Sequence, residues 1–227
     1  MSLHRLNPNG QPSSVKVASI YARPAGATTA VTKLSGSQGL VHRSPLVLIA
    51  NGSSNTSLLR SWLQQAKRDV IELPHSTDNP TAILAAPAVV ISHGAATSDK
   101  QLIQYLQAGG KVLVFCDEWV PYFTEVLPSG IKADKSASSG NLYFQMPDNP
   151  AQRMVIPNGA TAVVYSPMPL NATTLWVDSN GKTGIAMIPV GNGKLCVIGS
   201  NLDMDNSTVP AELLAQWQQL FNSLLNA

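Results

Sequence analysis

The sequence predicts an α/β protein of three layers, a mostly parallel sheet flanked by helices, with an irregular extension in front of it. Three observations predict this. Short continuous apolar runs recur at residues 46–50, 88–92 and 111–116, the pattern of strands buried on both faces. Amphipathic stretches of helical spacing separate them, long enough for the crossovers that parallel neighbours need. Glycine, proline and asparagine punctuate the junctions.

Residues 1–44 form the extension, with one loosely alternating stretch at 14–21 that suits a strand and a Gly-, Ser- and Thr-rich stretch at 24–44 that reads as loop or weak hairpin. From Pro45 the character changes, and residues 45–227 read as one domain. The run Leu46-Val47-Leu48-Ile49-Ala50 is the first buried strand, broken by Asn51-Gly52-Ser53-Ser54. A helix follows with Leu58, Leu59, Trp62, Leu63 and Ala66 on one face. A second strand at 69–73 ends at Pro74-His75, and a short helix at 80–85 leads to the third strand at 88–92, ended by His93-Gly94. Ser98 and Gln101 form a capping-box pair for a helix carrying Leu102, Ile103 and Leu106. Gly109 suits the left-handed position past its end. The fourth strand spans 111–116. Residues 120–172 lose this rhythm, with strand-like pieces only at 142–145 and 161–165. Strands return at 174–177, 184–188 and 195–199, the last two joined by a tight turn at 191–194. A final helix begins near Pro210 with a stripe through Leu213, Trp217, Phe221 and Leu224.

Composition excludes several functions. The 227 residues carry 15 basic and 13 acidic side chains without a basic cluster, which argues against nucleic-acid binding. Hydrophobic residues make up 44%, too many for a disordered chain. Two cysteines build no disulfide scaffold, and no apolar run approaches the roughly 20 residues of a membrane span. The 12% charged content leans toward an exported, periplasmic or cell-surface setting.

In parallel α/β sheets, ligands gather at the carboxyl ends of the strands. That edge would present Asn51, Gly52, Ser53, His75, Ser92, His93, Gly94, Cys116, Asp117, Glu118, Trp119, Ser200, Asn201 and Asp203, a polar set with an aromatic member. The plainer reading is that loops are polar anyway, that His75 and His93 make local hydrogen bonds, and that Cys116 fills space as a small hydrophobe. Cys196 reads as core. Asp117, Glu118, Asp203 and Asp205 are too weak a pattern for a metal site, and no metal or cofactor motif is present.

The order strand, glycine loop, helix, Ala-Gly-Gly and strand across residues 88–119 resembles the class I glutamine amidotransferase-like superfamily, nearest its trehalose-utilisation-like branch. The late Gly191-Asn192-Gly193-Lys194-Leu195-Cys196-Val197-Ile198-Gly199 resembles the Gly-x-Gly-Lys-aliphatic-Gly strand near that fold's end. The resemblance covers 45–227 and implies a flavodoxin-like sheet. It also implies a nucleophilic Cys in a Gly-x-Cys-x-Gly turn after the fourth strand, where Cys116 stands with Val114 and Glu118 in the glycine positions. The family's His-Pro-Glu would fall on Asp203, Met204 and Asp205; a carboxylate beside a thiol raises its pKa, so the machinery looks degenerate.

Two functions are expected. The first is a non-catalytic module that binds a small polar ligand such as a sugar through Asn51, Gly52, Ser53, Gly94, Asp117, Glu118, Trp119, Asn201 and Asp203. It would serve as an accessory domain of a larger surface or envelope protein, with residues 1–44 meeting a protein partner. The second is a cysteine-dependent hydrolase or amidase using Cys116 with His93, with backbone N–H groups near Gly94 holding the oxyanion.

Overall fold

The structure, a computed structural model, describes residues 44–50, 54–95, 100–115, 131–135, 142–156, 160–202 and 209–227. The extension with its expected strand at 14–21, Ser98 of the capping pair, and residues 116–130 and 203–208 lie outside the described residues.

Five strands and three helices build the first part of the sheet. They are β1 (Leu46–Ile49), α1 (Ser54–Gln65), β2 (Val70–Leu73), α2 (Pro80–Ala85), β3 (Val89–Ile91), α3 (Lys100–Gln107), β4 (Lys111–Phe115) and, from much later in the chain, β11 (Gly193–Ile198). All run parallel in the order β2-β1-β3-β4-β11. Side chains alternate across β1. Leu46 and Leu48 join one core with Leu59, Trp62 and Leu63 of α1, while Val47 and Ile49 join the other with Ile83 of α2 and Leu102 and Leu106 of α3. Helices therefore cover both faces, and the chain has the three expected layers.

The sheet is mixed rather than mostly parallel. Beyond β11 come β10 (Thr183–Val190), β9 (Thr173–Val177), β6 (Tyr143–Met146) and β7 (Asn149–Val155), each antiparallel to its neighbour. A ribbon of β5 (Lys132–Lys135) and β8 (Val163–Ser166) hangs on β10. Six of the ten strand pairings are antiparallel. The reason is connection length. β6 and β7, β9 and β10, and β10 and β11 are joined by short turns, such as Gly191-Asn192 in the last pair, and a hairpin can only join antiparallel neighbours. Gly191 takes φ +59°, the conformation that turn requires.

Helix ends follow the sequence closely. Gly109 has φ +105°, its N–H bonds Leu106 O at 3.0 Å, and Gly110 N–H bonds Tyr105 O at 2.8 Å, a complete Schellman cap for α3. The same cap ends α1, with Lys67 at φ +52° in the glycine position. The final helix, α4 (Ala211–Asn226), docks through Phe221, whose ring centroid lies 5.7 Å from Trp62 and 6.2 Å from Phe115. Among the described residues, no helix is long and apolar enough to cross a membrane.

Candidate functional site

Register fixes the candidate site. Leu73, Ile49, Ile91, Val114 and Val197 stand side by side in one row across the five parallel strands. β1 and β3 end at this row and β4 and β11 one residue beyond it, so the carboxyl ends of these strands share one rim. Ser92 N–H still bonds Ile49 O at 3.0 Å, and Ala50 N–H bonds Leu73 O at 2.8 Å, so the row is hydrogen-bonded to its last residue. Two antiparallel steps bring β9 back to the direction of β11. The turn after Val177 and the start of β10 therefore lie at the same edge.

Buried polar groups mark this edge. Among the described residues the buried polar or charged side chains are Thr56, Ser76, Ser92, Asp178, Thr183, Ser200 and Asn201. All seven follow the carboxyl end of a strand or stand in the element that starts there. The opposite edge has none. Polar side chains are rarely buried without a partner, and here they are tied into the rim. Thr56, in the first turn of α1, reaches the hydroxyl of Ser92 at 3.3 Å. Ser200 Oγ accepts from Leu202 N–H at 3.3 Å, and Asn201 Oδ1 accepts from Thr161 N–H at 2.9 Å. Asp178 Oδ1 accepts from Asn180 and Lys182 N–H at 2.9 and 2.8 Å. Leu202 is held at φ +46°, a left-handed conformation that a bulky residue adopts only at a cost of about 1–2 kcal/mol.

Of the residues expected at the rim, Ser92, His93, Gly94, Ser200 and Asn201 are described and stand there. Ala95 N–H closes a turn onto Ser92 O at 3.2 Å, with half-buried His93 and Gly94 at its corner; Gly94 has φ +74°, which this turn reserves for glycine. His75 is exposed, and its N–H bonds Asp78 Oδ2 at 3.0 Å in a local turn. Asn51, Gly52, Ser53, Cys116, Asp117, Glu118, Trp119 and Asp203 lie outside the described residues, and so does Asp205. Cys196 is fully buried at the middle of β11, and burial pushes its thiol up to about 12, so it stays protonated and inert. Among the described residues no three His, Cys, Asp or Glu side chains gather as metal ligands.

Sequence reasoning missed Thr56, Ser76, Asp178, Thr183 and the strained Leu202. Asp178-Ser179-Asn180-Gly181 carried the signal of an Asx turn, but placing it at the rim required the antiparallel half of the sheet.

No family model matches the sequence, and no curated protein matches it. Solved structures do resemble it. The carbohydrate deacetylase Agd3 superposes with TM-score 0.57 at 14% identity, over 81% of this chain and 32% of that one. A cytoplasmic protein from Salmonella typhimurium gives 0.55 at 13%, over 81% of this chain and 98% of that one. A β-galactosidase from Bacillus circulans sp. alkalophilus gives 0.53 at 11%, over 81% and 31%. At these identities the likeness is one of fold. The chain spans about a third of the deacetylase and galactosidase chains, and nearly all of the Salmonella protein.

Proposed function

We propose that this chain is a ligand-binding module of amidotransferase-like kinship whose carboxyl-edge rim holds a small polar molecule, a sugar being the best chemical fit. The observation that carries this reading is the gathering of every buried polar side chain among the described residues at one edge. Hydroxyls and a carboxamide held in fixed positions suit a ligand that both donates and accepts hydrogen bonds, as a sugar does. The strand order β2-β1-β3-β4-β11 supports the kinship, since it follows the flavodoxin-like order with β11 in the fifth place. Fold likeness to part of two carbohydrate-active proteins supports an accessory role within a larger protein or assembly.

A thermal-shift screen of neutral mono- and disaccharides tests this. A ligand at one hundred times its Kd stabilises by about 2.7 kcal/mol, which raises Tm by about 5–11 °C in a domain of this size. His93→Ala should diminish that rise. A flat screen up to about 10 mM of each sugar, a Kd bound of weak millimolar affinity, would end the sugar reading.

One observation favours the enzymatic alternative. β3 and β4 are parallel neighbours with Ile91 opposite Val114, and His93 and Cys116 each follow two residues later in the sequence. A Cys–His pair would show itself as iodoacetamide labelling of Cys116 with an apparent pKa well below the ordinary ~8.5, returning to that value in His93→Ala. An ordinary profile in the wild type rules the alternative out.

A further inference from the structure

Strand order singles out one place along the rim. From β1 the chain crosses by α1 to β2 on one side, and from β3 by α3 to β4 on the other. These connections leave neighbouring strands in opposite directions, α1 over one face of the sheet and α3 over the other. A crevice opens at such a switch point, and it is where ligands bind in open α/β sheets. The β3–α3 connection brings His93, Gly94 and, in the first turn of α3, half-buried Gln101. Gln101 stands one turn before Tyr105 on the same flank of the helix. The hydroxyl of Tyr105 donates to Ala86 O at 3.0 Å, just past the end of α2, so this flank faces α2. α2 carries the chain from β2 across β1 to β3. Gln101 is therefore turned toward β1, at the end of α3 nearest the rim.

Its Oε1 is closed from solvent and accepts a hydrogen bond from no group among the described residues. A glutamine in the first turn of a helix ordinarily spends that oxygen on a backbone N–H, as in a capping box. A buried acceptor without a donor destabilises a fold, and native structures hold few of them. Thr56, Ser92, Asp178, Thr183, Ser200 and Asn201, by contrast, each meet a protein partner. We propose that Gln101 is the specificity-determining acceptor of the rim, taking the hydrogen of one hydroxyl of the bound sugar at the β1–β3 crevice. This assignment rests on the reading of the rim as a sugar site and names the residue that chooses among sugars. Serine and threonine hydroxyls donate or accept and so discriminate little, whereas a carboxamide oxygen only accepts. An analogue lacking the matching hydroxyl leaves Oε1 orphaned again, and sites built this way reject such analogues.

Two rivals could also use the oxygen. A metal cation needs several oxygen ligands, with carboxylates among them, and among the described residues no three His, Cys, Asp or Glu side chains gather. A trapped water would serve the fold alone. It would make Gln101 worth its place in stability and would not distinguish a sugar from its deoxy analogue.

The test uses the full chain with D-glucose, D-galactose and their deoxy analogues as probes, followed by thermal shift and saturation-transfer NMR. Gln101→Met keeps the length of the side chain and removes its polar end. Without sugar, the variant should melt about 2–4 °C above wild type, because an orphaned acceptor is gone. It should bind sugar about three- to tenfold more weakly, the loss of one neutral hydrogen bond. One deoxy position should weaken binding to wild type by the same factor and change nothing in Gln101→Met, the mark of a direct contact. A variant that melts at or below wild type overturns the proposal, since Oε1 then serves the fold. Equal affinity in the two proteins, or a deoxy series ranked alike in both, overturns it while leaving the rim as a sugar site. Wild type that responds to no probe up to about 10 mM, beyond weak millimolar affinity, ends the sugar reading and this assignment together.

Discussion

Replacing Gly199 with alanine should cost the protein more than any other single methyl group at the rim. Gly199 follows the last residue of β11 and is clamped on both sides. Its N–H donates to Gly184 O at 2.7 Å, and its carbonyl accepts from Val163 N–H at 2.7 Å. A Cβ there would overlap the carbonyl oxygen of Val163 and stand 2.6 Å from Gly184 O, where ordinary contact begins at 3.4 Å. Both obstacles are backbone, so no rotamer can relieve them; β10 and the start of β8 must move apart. Overpacking of this kind costs about 1–3 kcal/mol, and weakening two hydrogen bonds adds about 1 kcal/mol each. A total near 4 kcal/mol lowers Tm by about 8–16 °C at ~2–4 °C per kcal/mol. Gly181→Ala is the control. Gly181 has φ +77° but nothing within 4 Å of a Cβ, so it loses only about 1–2 kcal/mol of backbone preference. Thermal unfolding by circular dichroism measures both. A Gly199→Ala protein melting within about 2 °C of wild type, or above Gly181→Ala, would refute the reasoning.

Lys67→Gly should stabilise by about 0.5–1 kcal/mol in urea unfolding, because Lys67 holds the left-handed cap of α1 at φ +52°. Cys196→Ala should flatten the alkaline limb of the stability curve. The folded chain keeps a thiol proton up to about pH 12 that the unfolded chain releases from about pH 9, so this contribution is present below pH 9 and is lost as pH rises between those values, by up to ~1.4 kcal/mol per unit. The burial of Tyr105 acts in the same direction, and the lowered pKa of Lys111 acts in the opposite one, so the wild-type-minus-variant difference is the quantity to measure. Native thiol labelling at pH 8 should leave Cys196 unmodified and reach it only in guanidinium. Trp217→Phe should cost about 1–2 kcal/mol through the lost bond to Val155 O, with faster amide exchange along β7.

The central parallel strands were legible because they are buried on both faces and must be written as unbroken apolar runs. Residues 46–50, 88–92 and 111–116 could be little else. The Schellman cap at Gly109 was equally plain, since the left-handed position selects glycine. In the antiparallel half the strands at 142–145, 161–165, 174–177 and 184–188 were legible, whereas β5 and β7 were not, for a physical reason. β5 is Lys-Ala-Asp-Lys and β7 begins Asn-Pro-Ala-Gln. Strands in terminal ribbons have little buried face, so no alternation is imposed on them, and propensity alone argues against both. The rim was half legible. Ser92, His93, Gly94, Ser200 and Asn201 follow from the strand-end rule once the strands are found, whereas Thr56 and Asp178 become rim residues only through pairings that no local pattern encodes.

The seven buried polar side chains do not all speak for a ligand with equal weight. Asp178 is accounted for by its own hairpin, where one oxygen holds two N–H groups. Thr183 meets Thr174 across the same hairpin at 3.1 Å, and Asn201 anchors Thr161. Those three keep turns in shape and would be needed with or without a binding site. Thr56 and Ser92 differ. They face each other across the gap between α1 and β3 at 3.3 Å, near the upper limit for a hydroxyl pair, in a place where two apolar side chains of the same shape would be almost neutral for stability. Their bond joins the first turn of α1 to the end of β3 instead of closing a hairpin, and Leu202 adds a strained backbone on the far side of β4. The centre of the rim, from the start of α1 across β3 to the end of β11, is accordingly where buried hydroxyls tie separate elements together.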